Sequence, residues 1–259
     1  MQRLLLTLRY DGTRYHGWQV QPNGVTVQQT LQDAVEAVTG VRSGITGCSR
    51  TDAGVHADMF CCTLDTASPL RNGKLCAALN AHLPRDIAVY CCREVGPDFH
   101  PRYDARGKRY LYRIWNEPER NPFWEGRALH HRVPLDTERL DGAAKDYIGT
   151  HDFAPFCAAG SSVEDTVRTV RDCGVAREGG LVVFSVEADG FLYNMVRIMV
   201  GTLLEMAAGR RPYNGIPAIF AAGDRAAAGM TAPARGLILE RVFYAPETMG
   251  QAKENEPDS

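Results

Sequence analysis

Apolar positions recur along this chain with two periods, and the switches between them predict its elements. Residues 3–10 carry Leu4, Leu5, Leu6 and Leu8 in a short apolar run that reads as a strand. Thr26-Val27-Gln28-Gln29 has the form of a capping box, with Thr26 as N-cap and Gln29 placed to reach back. Leu31, Ala34, Val35 and Val38 follow at helical spacing until Gly40 stops the helix. Apolar runs at 41–46, 59–64 and 86–95 predict strands, and 69–83 predicts a helix with Leu75, Ala78 and Leu79 inward. Strand, helix, strand, strand, helix, strand is the order of a ferredoxin-like unit.

The second half repeats that order without obvious sequence identity. A strand is expected at 108–116 and a helix at 136–149, with Leu140, Ala143, Ala144, Tyr147 and Ile148 inward. Strands at 167–177 and 181–188 form a hairpin through Gly179-Gly180, whose residues tolerate positive φ. Helices at 191–208 and 215–222 precede a closing strand at 237–244. The pattern predicts an α+β protein of two ferredoxin-like βαββαβ units, a pseudo-duplication with antiparallel sheets and a central cleft. The N-terminal domain would span 1–105, the C-terminal domain 106–245, and 246–259 would be a disordered tail.

Composition narrows the class. The 259 residues are 44% hydrophobic and 23% charged, as in a soluble globular protein with room for about two domains. No stretch reads as a signal peptide or membrane span, so the expected location is cytoplasmic. The eight cysteines include no CxxC pair and no zinc spacing, and read as small hydrophobes in a reducing compartment. The net charge of −2 resides in the tail, where Lys253 faces Glu254, Glu256 and Asp258, and a neutral body can still hold a basic stripe.

Candidate chemistry gathers in three stretches. Residues 47–57 form a loop between two strands, with Asp52 two positions from Arg50 and Gly47 and Gly54 as hinges. By spacing alone, Asp52 is equally the head of an Asx-turn. From 99 to 113, five lysines and arginines stand against Asp104, interleaved with Phe99, Tyr103, Tyr110 and Tyr112. Phosphates and unstacked bases call for that mixture, although a solvated strand with tyrosines in the core shares it. The third is the helix at 191–208, apolar almost all round and therefore buried, with Arg197 in its middle. Burying an unpaired guanidinium costs several kcal/mol, so Arg197 needs a carboxylate, unless it snorkels to solvent.

Arg50-Thr51-Asp52-Ala53-Gly54-Val55-His56-Ala57 resembles the signature of the tRNA pseudouridine synthase A (TruA) family. The likeness extends over most of the chain. Residues 10–21 resemble the family's YDGxxYxGWQxQ opening, a region that there faces RNA, although without the resemblance the residues favour a loop tucked under its own Tyr15 and Trp18. Phe99-His100-Pro101-Arg102-Tyr103 resembles its FHxR[FY] segment, Arg109-Tyr110-Leu111-Tyr112 its Arg-Tyr-x-Tyr strand, and Thr166-Val167-Arg168-Thr169 its TxR[TN] strand start. Phe191-Leu192-Tyr193-Asn194-Met195-Val196-Arg197 resembles FLxxMVR.

The resemblance implies that Asp52 is the nucleophile, that Arg197 pairs with it and holds its pKa low, and that Tyr110 stacks on the target base. It implies that Arg50 fills the gap left by a flipped base, and that Phe99, His100, Arg102, Tyr103 and Arg71 contact tRNA. Thr51 and His56 are read as shaping the loop. The implied reaction isomerises uridine to pseudouridine at positions 38–40 of the tRNA anticodon arm, by a homodimer, without cofactor or metal. Acidic Val163-Glu164-Asp165 departs from the family, so contacts by residues 160–164 are left open. Two other classes compete: a non-catalytic RNA-binding protein, and a glycoside hydrolase. The hydrolase would need a second carboxylate, and near the loop only Asp58 is at hand.

Overall fold

The computed structural model describes residues 1–70, 72–160 and 163–246. Arg71 and the tail from 247 onward lie outside the described residues. Strand β1 (Gln2–Tyr10) runs between two neighbours and buries Leu4, Leu5, Leu6 and Leu8 completely. Each such burial contributes roughly 1.5–3 kcal/mol, and successive leucines can all gain it because both faces of the strand are covered. Helix α1 (Val27–Thr39) begins where Thr26 Oγ1 accepts the Gln29 N–H at 3.3 Å, and it ends at Gly40. Strand β2 (Ile45–Gly47) is shorter than expected, since it can pair only with three residues of β3, and Val41 is exposed. Strand β3 (His56–Thr66) starts earlier than its apolar run. Helix α2 (Asn72–His82) and strand β4 (Ile87–Val95) complete the half, in the spatial order β4-β1-β3-β2.

The second half follows the same plan. Its elements are β5 (Gly107–Trp115), β6 (Leu129–His130), α3 (Thr137–Ala144) and β7 (Gly149–Asp152). Then come β8 (Val167–Glu178), β9 (Leu181–Ala188), α4 (Met195–Ala207), α5 (Ile216–Ala222) and β10 (Leu237–Phe243). The order β10-β5-β9-β8 matches that of the first half, with β7 added at the outer edge. Within each of these four-strand sets every pairing is antiparallel.

The halves join edge to edge. Ile238 and Leu239 of β10 pair in parallel with His56 and Ala57 of β3, and a continuous ten-stranded sheet results. This pairing explains why β3 starts as early as His56, which pairs only with β10, while Ala57 pairs both with β10 and with Tyr10 of β1. Two short strands escape the sequence pattern. Strand β6 has two residues, and β7 has four with no buried side chain, so neither shows an apolar alternation. The helix expected from residue 191 begins at Met195, because Asn194 before it has φ 60° and breaks helical geometry. All eight cysteines are free thiols, four buried and four half-buried.

Candidate active site

The loop of residues 48–55, between β2 and β3, is held from beneath by the chain's opening loop. Trp18 N–H donates to the Thr51 carbonyl at 3.1 Å, and Gly54 N–H donates to the Tyr15 carbonyl at 3.2 Å. The Thr51 hydroxyl and the Tyr10 phenol share a buried hydrogen bond of 2.8 Å. Gly17 makes this approach possible: its φ is +84°, and a Cβ there would stand 2.4 Å from the Thr51 carbonyl oxygen. Trp18 is 3% exposed and stacks on Phe60 at 4.0 Å, and Tyr15 is also buried. These rings support the Asp52 loop from within, as the reading of a loop tucked under its own Tyr15 and Trp18 expects, while Arg14, His16, Gln19 and Gln21 of the same loop are exposed.

His56 fastens the far side of the loop. Its Nδ1 accepts the Gly12 N–H at 3.0 Å and lies 3.2 Å from Asp11 Oδ1. Nε2 lies 2.9 Å from the Gly126 carbonyl and 3.2 Å from that of Arg235, both in the C-terminal half. Burial would raise the neighbouring Asp11, but bonds from Thr13 and Arg127 outweigh it and hold that carboxyl at about 2. His56 and Thr51 thus bind the loop in place, as their reading from sequence expects.

Asp52 emerges from this support toward α4. Arg197 Nη1 lies 3.1 Å from Asp52 Oδ2, with both side chains mostly enclosed. The same Nη1 donates to Asn194 Oδ1 at 2.7 Å, and Nε donates to the Ala232 carbonyl at 2.7 Å. Ala232 N–H returns a bond to the Arg197 carbonyl. Close packing allows this exchange: a Cβ on Gly201 would fall 1.7 Å from the Met230 carbonyl oxygen. Arg197 is therefore fixed before it meets the acid. The Asp52 carboxyl is nonetheless raised above its ordinary pKa, contrary to expectation. Burial is the largest influence, and the charge and hydrogen bond of Arg197 offset it only in part.

Asp52 opens into a cavity of about 570 Å³ lined from both halves, by Arg50 and Asp52 on one side and Lys108, Tyr110, Phe191 and Asn194 on the other. That volume suits a single nucleotide-sized occupant. Tyr110 is 6% exposed, sets its ring edge-on to Phe191 at 4.9 Å, and places its hydroxyl 3.3 Å from Ser49 Oγ. Burial pushes its phenol upward, so it stays protonated. Burial likewise lowers the Lys108 ammonium. Arg50 is exposed at the rim. A second depression of about 740 Å³, lined by Met1, Gln2, residues 66–70, Asn72 and Gly73, has no acidic or basic side chain among its described lining residues.

The seam segment divides. Arg102 lines the cavity, and Tyr103 is 76% exposed beside it. His100 is occupied locally: its Nδ1 accepts the Arg102 N–H at 3.1 Å, and its ring lies 4.2 Å from that of Tyr103. Phe99 is not brought to the cavity. It is buried edge-on against Tyr244 at 5.4 Å and anchors the segment to the core. Ala159, Gly160 and Val163 line the cavity, whereas Ser161 and Ser162 lie outside the described residues. Asn194 and Lys108 were not singled out from the sequence. Lys108 was legible only as one charge in a basic run, and the helical periodicity around Asn194 gave no signal of its turn.

A continuous sheet joining two ferredoxin-like halves, with an acid from one paired to a cation from the other, defines a class that comparison with known proteins makes specific. A family model described as tRNA pseudouridine synthase matches residues 7–104 and 143–245. The chain belongs to this family, whose members are isomerases. It is 43% identical over 244 residues to tRNA pseudouridine synthase A of Clostridium kluyveri, covering 94% of this chain and 100% of the relative. The protein of the same name from Acetivibrio thermocellus is 44% identical over 244 residues, with the same coverage of each chain. That of Halalkalibacterium halodurans is 45% identical over 242 residues, covering 93% of this chain and 92% of the relative. Among solved structures, a chain of a Cbf5-Nop10-Gar1 complex aligns with 95% of this chain and 60% of its own, at 12% identity and a TM-score of 0.36.

Proposed function

We propose that this protein converts uridine to pseudouridine in tRNA, at positions 38–40 of the anticodon arm. The observation that carries the reading is the Asp52–Arg197 pair at 3.1 Å, built from both halves, opening into a cavity over which Tyr110 lies. In the reaction the N1–C1′ bond breaks, the base turns, and a C5–C1′ bond forms. The C5 proton leaves and N1 gains one, so atoms balance without a second substrate. Asp52 is the nucleophile or assists a glycal route, and Arg197 keeps it ionised against the cost of its burial. The paired target base must be extruded to reach the acid. Tyr110 then stacks on it, Arg50 fills the gap in the RNA, and Arg102, Tyr103 and His100 hold the flanking strand, with Phe99 as their anchor. Arg71 is proposed as a further contact on the family resemblance alone.

The two domains of this reading are 1–105 and 106–245, and the enzyme works as a cytoplasmic homodimer. Family resemblance supports the dimer, and light scattering on the purified protein checks it. Among the described residues no helix is long and apolar enough to cross a membrane. The decisive experiment maps pseudouridine in tRNA incubated with wild type and with Asp52→Ala. Wild type is expected to modify positions 38–40, and the variant to modify none while its tRNA affinity stays within a few-fold. Retained turnover in Asp52→Ala removes the acid from its role.

A further inference from the structure

Asn194 has the only positive φ of any non-glycine among the described residues, at φ 60° and ψ 8°. Backbone of this kind persists where surrounding structure enforces it, and it gathers at functional sites. Asn194 also stands at the N-cap of α4, where an asparagine ordinarily turns its side chain onto the free N–H groups of the helix. It makes no such bond. Its Oδ1 accepts from Arg197 Nη1 at 2.7 Å instead. A guanidinium offers donors only, so the amide is locked with its oxygen toward Arg197 and its NH2 turned away. That NH2 has no protein partner among the described residues, and Asn194 lines the cavity shared by Asp52 and Tyr110.

We infer that Asn194 reads the target base, its Nδ2 donating to a carbonyl oxygen of uracil both before and after the base turns. The inference rests on the uridine isomerase reading above and adds a specificity-determining residue to it. In uracil, O2 and O4 lie symmetrically about the line through N3 and C6. A half turn about that line exchanges N1 with C5, as the reaction requires, and exchanges O2 with O4 at the same time. A fixed donor that meets one carbonyl before the turn therefore meets the other after it. Cytosine carries an amino group in place of O4, so one of its two orientations would set N–H against N–H. A site built around such a bond rejects an analogue that leaves its buried donor unpaired. Through Oδ1 the same amide holds Arg197, so the reader of the base and the partner of the acid are positioned together.

The test compares two anticodon-arm RNAs, one with uridine and one with 4-thiouridine at the site wild type converts, scored by chromatography of the digested nucleosides. Sulfur at C4 is a poor acceptor, so wild type should process the thio substrate with kcat/KM lower by about tenfold or more. Asn194→Gly removes the amide and suits the left-handed backbone, so its melting temperature should hold. It should lose about tenfold or more on uridine RNA and treat the two RNAs within about twofold of each other. If Asn194 only held Arg197, the variant would slow on both RNAs while keeping the wild-type ratio between them, and that result overturns the inference. So does a wild type indifferent to the sulfur. A wild type inactive on the uridine RNA is a different result, which defeats the underlying function and this inference with it.

Discussion

The opening loop at 11–21 and the seam at 99–103 read alike in sequence, each mixing aromatic rings with polar and basic residues, and each resembling an RNA-facing segment of the family. In the folded chain they part. Trp18 is 3% exposed, stacked on Phe60 and hydrogen-bonded through its backbone to Thr51, whereas Tyr103 is 76% exposed beside the cavity. The opening loop can press against the Asp52 loop because Gly17 lets two backbones approach within the space a Cβ would need. The seam instead closes on itself: His100 N–H donates to Asp104 Oδ2 at 2.8 Å, and Asp104 N–H to the His100 carbonyl at 3.0 Å. Its satisfied backbone leaves Arg102 and Tyr103 projecting. Similar compositions thus become a foundation in one place and an exposed projection in the other, according to where backbone hydrogen bonds find their partners.

The contrast breaks most readily at Trp18. Trp18→Ala should cost about 3–5 kcal/mol of stability and loosen the Asp52 loop, which denaturant unfolding and turnover would register together. A variant of wild-type stability would mean the ring is not a foundation. Arg197→Gln probes the acid that the foundation presents. Asp52 already titrates above the ordinary 3.8 because burial outweighs Arg197, so activity should fall as pH drops through that raised value. Removing the guanidinium takes away the lowering influence and should move this acid limb of kcat/KM to still higher pH, with turnover reduced. A limb that stays in place would separate Arg197 from the acid's ionisation. The smallest effect is expected at the seam. Arg102→Ala should leave melting unchanged, weaken tRNA binding, and reduce the slope of log affinity against log salt by about one. An Arg102→Ala protein that melts early would erase the distinction between the two stretches.

The sequence by itself determined the main elements and their order, short β6 and β7 apart: Thr26 and Gly40 bound α1, leucines at 4, 5, 6 and 8 mark a central strand, and two βαββαβ series follow one another. It also pointed to a carboxylate for Arg197, because desolvating a lone guanidinium is costly, while leaving open that the side chain snorkels to solvent. What it left undecided depends on neighbours distant in the chain. The early start of β3 comes from β10, the burial of Trp18 from Phe60, and the direction in which Asp52 titrates from the balance of enclosure against one hydrogen bond. The left-handed turn at Asn194 falls within a stretch that reads as one helix from 191 to 208, and periodicity is blind to a single φ. Local pattern decides local geometry because its hydrogen bonds close within a few residues. Only tertiary structure decides which of those segments meet, since that depends on burial summed over the whole core.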